Sequence, residues 1–250
     1  MDSYIIPNLA KALEIIKLLS SAEDGLSALE IEKQVGIART SAFRILRTLA
    51  GAGMVEKRGT RFYGGAVLME IGLNAVNKFK LRDIAVPVLQ QLTEQTRQTS
   101  HLAVPSGHMA LILEVCDSTE PVLVASRPGT LADLHCSSNG KIFLACNMLD
   151  RLDELYAERP LRRHTANTIS DLRMLKNELL DVLERGYAID DQEYHVGVRC
   201  IAAPITNIHG ACIAGIGVTG PVSSLTKEKV PEVTAMVRSA AERLSGTVIG

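Results

Sequence analysis

The stretch "SALEIEKQVGIARTSAFRILRTLAGAGMVEKRG", residues 27–59, carries signals for two short helices, a tight turn between them and the first arm of a hairpin. Ser27 followed by Glu30 fits a capping box, in which the serine hydroxyl accepts from the Glu30 amide while the glutamate carboxylate reaches back to the Ser27 amide. The spacing predicts a short helix ending near Gly36. From Arg39 onward, at about 100° per residue, Ala42, Ile45, Leu46 and Leu49 gather on one face and Thr40, Arg44 and Arg47 on the other. "MVEKRGTRFYGG" then reads as a hairpin whose tip, Gly59-Thr60, is flanked by Arg58 and Arg61.

Upstream, "NLAKALEIIKLLSSAEDG" predicts a first helix with Leu9, Ala12, Leu13, Ile16 and Leu19 on its buried face, ending at the Asp24-Gly25 turn. The net charge over 250 residues is only −1, so nucleic acid has to be met by a local patch. Lys33, Arg39, Arg44, Arg47, Lys57, Arg58 and Arg61, set against the lone Glu56, form one. The exposed face with Thr40, Arg44 and Arg47 suits phosphate oxygens and the acceptor edge of guanine.

Downstream, a helical pattern through Val67, Leu68, Ile71 and Ala75 leads to "NKFKLRD", where the polarity rises and a domain junction is expected. Helix and strand then alternate. "IAVPVLQQLTEQT", "GKIFLACNM", "DLRMLKNELLDVLERG" and "TKEKVPEVTAMVRSAAERL" read as helices. "SHLAV", "MALILEV", "PVLVAS", "YAID", "CIAAPI" and "ACIAGIGV" read as strands, and "RPGTLADLHCSSN" as a loop.

Hydrophobic residues make up 46% of the chain and charged ones 22%, which excludes a disordered polypeptide. Five cysteines without a Cys-x-x-Cys pair suit reduced thiols better than a disulfide framework. The first residues lack a basic segment leading into an apolar one, and no apolar run is long enough for a bilayer. A cytoplasmic protein with no membrane partner is expected.

The segment "GYAIDDQEYHVGVRCIAAPI", residues 186–205, admits three readings. As an enzyme it would use Cys200, His195 and Asp190 as nucleophile, base and orienting group, but nothing nearby reads as an oxyanion-hole loop. As a metal site it would draw on His135, Cys136, Asp190, Glu193 or His195, none of them at a dedicated ligand spacing, and neither metal nor cofactor is expected. As a pocket wall it joins Asp190 and Cys200 to the strand "ACIAGIGVTG", where Ala211, Ile213, Gly215, Gly217 and Thr219 share a face nearly bare of side chains. "SSNGK", residues 137–141, then begins a helix whose free amides suit an anionic group. Simple close packing of strand on helix is the competing explanation of the glycines.

The chain resembles the IclR family of bacterial transcription regulators. Residues 27–59 are similar to that family's winged helix-turn-helix, with "GIARTSAFRIL" supplying its turn glycine, Ser/Thr pair and arginine; "RPGTLADLHCSSNGKIFLA" and "ERGYAIDDQEYHVGVRCIAAPI" are similar to its two effector-domain signatures. The resemblance implies an α+β chain with a DNA-binding domain over residues 1–65, a linker helix over 66–80 and a GAF-like effector domain with a central antiparallel sheet over 81–250. DNA contacts are expected from Arg39, Thr40, Ser41, Arg44, Arg47, Arg58 and Arg61. Ligand contacts carry over to Ser138, Asn139, Asp190, Val198, Cys200, Gly217 and Thr219. The implied partners are double-stranded operator DNA, a small-molecule effector such as an organic acid, and further copies of the chain in a homodimer or dimer of dimers. A metabolite-processing enzyme built on Cys200, His195 and Asp190 is the alternative.

Overall fold

Ser27 and Glu30 close the predicted capping box: the Ser27 amide donates to Glu30 Oε2 at 2.7 Å and the Glu30 amide to Ser27 Oγ at 3.3 Å. The computed structural model describes residues 5–78, 80–120 and 127–246, which divide into two compact units with the boundary after Lys78. The box starts α2 (Ala28–Val35), and Gly36, at φ 63°, ends it in the left-handed region that glycine adopts at little cost. Around it lie α1 (Pro7–Ser20) and α3 (Arg39–Gly51). A small antiparallel sheet of β1 (Leu26–Ser27), β2 (Val55–Arg58) and β3 (Arg61–Gly64) has the order β1-β3-β2, with its hairpin tip at Gly59-Thr60. Ile15, Leu19, Ile31, Val35, Leu46, Val55 and Phe62 form the core of this unit, each worth roughly 1.5–3 kcal/mol on burial. The helix α4 (Ala66–Lys78) follows the sheet.

The first helix corrects the sequence reading. Leu9 and Leu13 are more than half exposed, while Ile15 and Leu19 are buried. Two apolar stripes run along α1, and the one one residue further round, reinforced by the half-buried Leu18, meets α2 and β3. Periodicity alone did not choose between them.

In the second unit, α5 (Lys80–Thr96) precedes a six-stranded antiparallel sheet of order β6-β5-β4-β9-β8-β7. Its strands are β4 (Thr99–Ser106), β5 (Met109–Cys116), β6 (Leu131–Asp133), β7 (Ala188–Asp191), β8 (Val198–Thr206) and β9 (Cys212–Pro221). Helices cover both faces. On one, α5 and α9 (Val230–Leu244) pack through Leu81, Leu89, Leu92, Val237 and Leu244 on Leu102, Ile201, Ile216 and Val218. On the other, α6 (Ser138–Phe143), a π-turn over Leu144–Met148, α7 (Leu152–Tyr156) and α8 (Leu172–Arg185) pack through Ile142, Phe143, Leu175 and Leu179 on Ala103, Ala110 and Ala202. Asp171 caps α8 by accepting from the Met174 amide, and Gly186 ends it at φ 74°.

Two further expectations are corrected. The segment read as a loop after residue 126 contains β6, because Met109, Ala110 and Leu111 offer it a free edge to pair with. The helix read over "GKIFLACNM" starts two residues before Gly140, at Ser138, inside the "SSNGK" stretch expected to open it, and is capped by Ser137 Oγ accepting from the Gly140 amide at 3.2 Å. The expected strand over residues 121–126 lies outside the described residues. Among the described residues no helix is long and apolar enough to cross a membrane.

Candidate functional site

The exposed side of α3 carries Arg39, Thr40, Arg44 and Arg47, and Ser41 is half-buried. The helix contains no acidic residue, and none of the three arginines has an ion-pair partner among the described residues. An unneutralised basic face on a helix narrow enough for a major groove is an electrostatic and geometric match to duplex DNA. Ser41 and Arg44 also border a cleft of about 290 Å³ against Asn8, Leu9 and Ala12 of α1.

The hairpin arginines differ. Arg58 sits at the tip, 2.8 Å from Glu56 and over the Tyr63 ring, and is largely exposed. Arg61 is turned inward: its Nε and Nη2 donate to the carbonyls of Asp24 and Gly25 at 2.9 and 3.0 Å, and Glu30 lies 3.5 Å away. Phe43, absent from the sequence reading, is 60% exposed on the same side as Thr40 and Arg47. Its signal was available, since an apolar residue on the polar arc of an amphipathic helix wants a partner outside the fold.

In the second unit a cavity of about 130 Å³ opens on the sheet face beneath α6. Its wall includes Ser138, Asn139, Asp190, Val198, Cys200 and Thr219, joined by His101, Ala110, Ile112, Ser137, Tyr194 and His195. Strand register brings the polar members together: Asp190 pairs with Cys200, and Cys200 with Thr219, so they form one row across β7, β8 and β9. Thr219 Oγ1 donates to Cys200 Sγ at 3.1 Å and lies 3.5 Å from His101 Nδ1.

Gly217 is not in the wall. A Cβ there would sit 2.4 Å from the Ile201 carbonyl and 3.0 Å from His101 Nε2. The strand face expected to be bare is therefore filled, at Gly217 by the His101 imidazole and at Gly215 by the Asn139 amide, and close packing explains both glycines. Gly217 admits the histidine that the cavity uses.

Burial sets the electrostatics. It pushes the Asp190 carboxyl up to about 7, against the pull of the Glu193 and Tyr194 amides that Asp190 Oδ1 accepts at 2.7 and 3.3 Å. His101 is lowered to about 4 by the same cause and is neutral at physiological pH. Burial also raises the Cys200 thiol well above its ordinary value, with Asp190 adding to the effect. The β7–β8 turn over the cavity mouth has Gln192 at φ 63°, and Gln192 Oε1 accepts from the Gly197 amide. Behind it, Lys141 is almost fully buried and bonds Glu193 at 2.6 Å and Glu178 at 3.0 Å, while Arg185 of α8 holds Glu178 at 2.7 Å.

Two family models cover most of the sequence: the IclR helix-turn-helix domain matches residues 8–59, and the bacterial transcriptional regulator IclR C-terminal domain matches residues 73–246. The chain belongs to the IclR family. It is 32% identical over 246 residues to the HTH-type transcriptional regulator BhcR of Paracoccus denitrificans, covering 98% of this chain and 88% of that one. With the transcriptional repressor IclR of Escherichia coli it shares 28% over 244 residues, covering 96% and 89%. The crystal structure of the Thermotoga maritima IclR aligns with a TM-score of 0.70 at 29% identity, over 95% of this chain and 97% of that one. An IclR homologue from Microbacterium hydrocarbonoxydans complexed with 4-hydroxybenzoate has the same fold, with a TM-score of 0.81 at 23% identity over 95% and 97%.

Membership in the IclR family makes the protein a DNA-binding transcription regulator with an effector-binding C-terminal domain, and not an enzyme. The chemistry of the cavity agrees. Nucleophilic catalysis by Cys200 needs a thiolate, and a buried thiol beside a carboxyl is held protonated. Among the wall residues that sequence reasoning missed are the ring side chains of His101 and Tyr194. His101 had a signal in Gly217, whose missing side chain on a central strand requires something else to fill the space.

Proposed function

We propose that this IclR-family regulator reads a two-fold operator as a homodimer or dimer of dimers and changes its DNA affinity when a small organic acid or related metabolite enters the C-terminal cavity. In this reading residues 1–65 form the DNA module, 66–80 a linker helix and 81–250 the effector domain. Arg39, Thr40, Ser41, Arg44 and Arg47 enter the major groove, with Arg58 and Arg61 on flanking phosphates. One recognition helix per half-site suits a two-fold assembly, and the exposed Leu9 and Leu13 of α1 and Met69 and Ile71 of α4 are apolar enough to meet a second copy.

The observation that carries the effector reading is the convergence of Ser138, Asn139, Asp190, Val198, Cys200 and Thr219 on one cavity whose only carboxyl among the described residues is half-protonated near neutral pH. A protonated Asp190 donates a hydrogen bond to an incoming carboxylate, where an ionised one would repel it. Thr219 adds a hydroxyl, the first amides of α6 meet the anionic end, and Gly217 contributes by seating His101. The 4-hydroxybenzoate complex of the homologue, a phenol with a carboxylate, supports the same class of ligand.

The test is a thermal-shift screen of organic acids, followed by operator titrations with the acid that binds. Asp190→Ala should abolish the ligand's effect and leave ligand-free operator affinity nearly intact. An unchanged response at the same ligand concentration would put the effector elsewhere.

A further inference from the structure

Beside the effector cavity the fold assembles a second group of side chains that neither DNA binding nor effector binding uses. Asp133 ends β6, Cys136 lies in the turn that follows, and His164 arrives from the segment between α7 and α8. One Asp oxygen, the thiol sulfur and one imidazole nitrogen all lie within 4.8 Å of one another. His164 Nε2 is 2.7 Å from Asp133 Oδ2.

The three positions are held from outside the group. Ser137 Oγ donates to the Asp133 carbonyl at 2.6 Å, fixing the turn that carries Cys136. The His164 ring stacks on Tyr194 at 4.7 Å, and its amide donates to Thr168 Oγ1 at 3.0 Å. Thr165 and Thr168 anchor the segment by donating to the Gln192 and Glu193 carbonyls, each at 2.7 Å. Cys136 is fully buried, yet its sulfur does not sit among apolar groups alone: the Asp133 carboxylate and the His164 imidazole lie within 4.8 Å of it. A buried thiol beside a carboxylate and an imidazole is a donor set that a divalent cation can gather, since it takes the sulfur as thiolate and adds positive charge beside the acid.

We propose that Asp133, Cys136 and His164 form a site for one divalent transition metal of the zinc class, with a fourth position left for water or an exogenous ligand. Mixed oxygen, sulfur and nitrogen donors select a borderline metal over calcium or magnesium, and three protein ligands leave a tetrahedral ion one open position. On binding, the Cys136 proton passes to solvent, and a proton carried on His164 Nε2 is given up, leaving Nδ1 protonated and the Nε2 lone pair facing the ion. The metal would tie the turn after β6 to the segment that braces Gln192 and Glu193 over the cavity mouth. An ordinary Asp133–His164 ion pair beside an inert thiol is the competing account, and it predicts no metal affinity.

The full-length protein, stripped with chelator, is titrated with Co(II) and then with Zn(II). The expected result is one cobalt per chain, a thiolate-to-cobalt charge-transfer band in the near ultraviolet, and loss of the band on adding zinc. Cys136→Ser removes the band, and His164→Ala weakens cobalt binding about tenfold or more. Cys146→Ser leaves both unchanged, which separates this site from binding at the exposed thiol. Absence of the band from the parent protein overturns the proposal, as does a band that disappears with Cys146 instead. If Cys136→Ser does not fold, His164→Ala decides alone: cobalt affinity equal to the parent's would show that this histidine is no ligand.

Discussion

The amide oxygen of Asn139 occupies the space that a side chain at Gly215 would need: a Cβ there would lie 2.2 Å from Asn139 Oδ1. Asn139 is buried, and this oxygen has no hydrogen-bond partner among the described residues, so its position is set by packing. Gly215→Ala should push Asn139 toward the cavity and cost about 1–3 kcal/mol. Gly217→Ala should cost more, because the obstacle there is the Ile201 carbonyl, which belongs to a central strand and cannot rotate away. Denaturant midpoints of the two variants against the parent test the order.

Arg44→Ala together with Arg47→Ala should weaken operator binding by about 1–3 kcal/mol for each arginine that reads a base, with little effect on stability, since both side chains are exposed and have no ion-pair partner among the described residues. Phe43→Ala should reduce discrimination at a position carrying a thymine methyl more than it reduces overall affinity. Operator affinities at fixed salt, on parent and base-substituted sites, separate the two effects. Full retention of affinity in the double variant would take α3 out of the groove.

The hairpin arginines should part company. Arg58→Ala should weaken all sequences alike and lower the salt dependence by about 0.9 log unit per log salt for each phosphate no longer neutralised. Arg61→Ala should also loosen the module, because its guanidinium ties the hairpin to the Asp24-Gly25 turn. A melting temperature lowered by Arg61→Ala and untouched by Arg58→Ala is the expected pattern.

Asp190→Asn should stabilise the protein in a pH-dependent way. The folded chain holds the Asp190 proton up to about pH 7, whereas the unfolded chain releases it near the ordinary value of 3.8. Below 3.8 the two states bind it equally and nothing is lost. Between 3.8 and 7 the unfolded state alone ionises, and this residue removes up to about 1.4 kcal/mol of stability per pH unit; above 7 the loss is constant. Asparagine keeps the oxygen that accepts from the Glu193 and Tyr194 amides but has no proton to lose. Its advantage over the parent should therefore grow from pH 4 to pH 7 and then level. Chemical denaturation of both proteins at pH 5 and pH 8 would refute this if the advantage were equal.

Local signals were read well because they are local. The Ser27–Glu30 capping box, the Gly36 helix stop and the Gly59-Thr60 tip each depend on a few adjacent residues, and each is present in the fold. What failed depended on distant partners. The buried stripe of α1 was chosen by α2 and β3, and β6 exists because β5 has an edge to offer. The strand glycines looked like open space until His101 and Asn139, more than seventy residues away along the chain, were seen to fill it. The Asp133–Cys136–His164 group was invisible for the same reason: its histidine stands on a separate segment, and no ligand spacing announces it.

The buried ions behind the cavity have a structural consequence. Asp190 grips the Glu193 amide, Glu193 grips Lys141, Lys141 grips Glu178, and Glu178 grips Arg185, each step at hydrogen-bond distance with no gap for water. The cavity wall and the last turn of α8 are thus joined by an unbroken run of direct polar contacts. The run ends on a helix that leaves Leu180 and Leu183 exposed. A residue of the cavity wall thereby has a continuous polar connection to the outside of the domain.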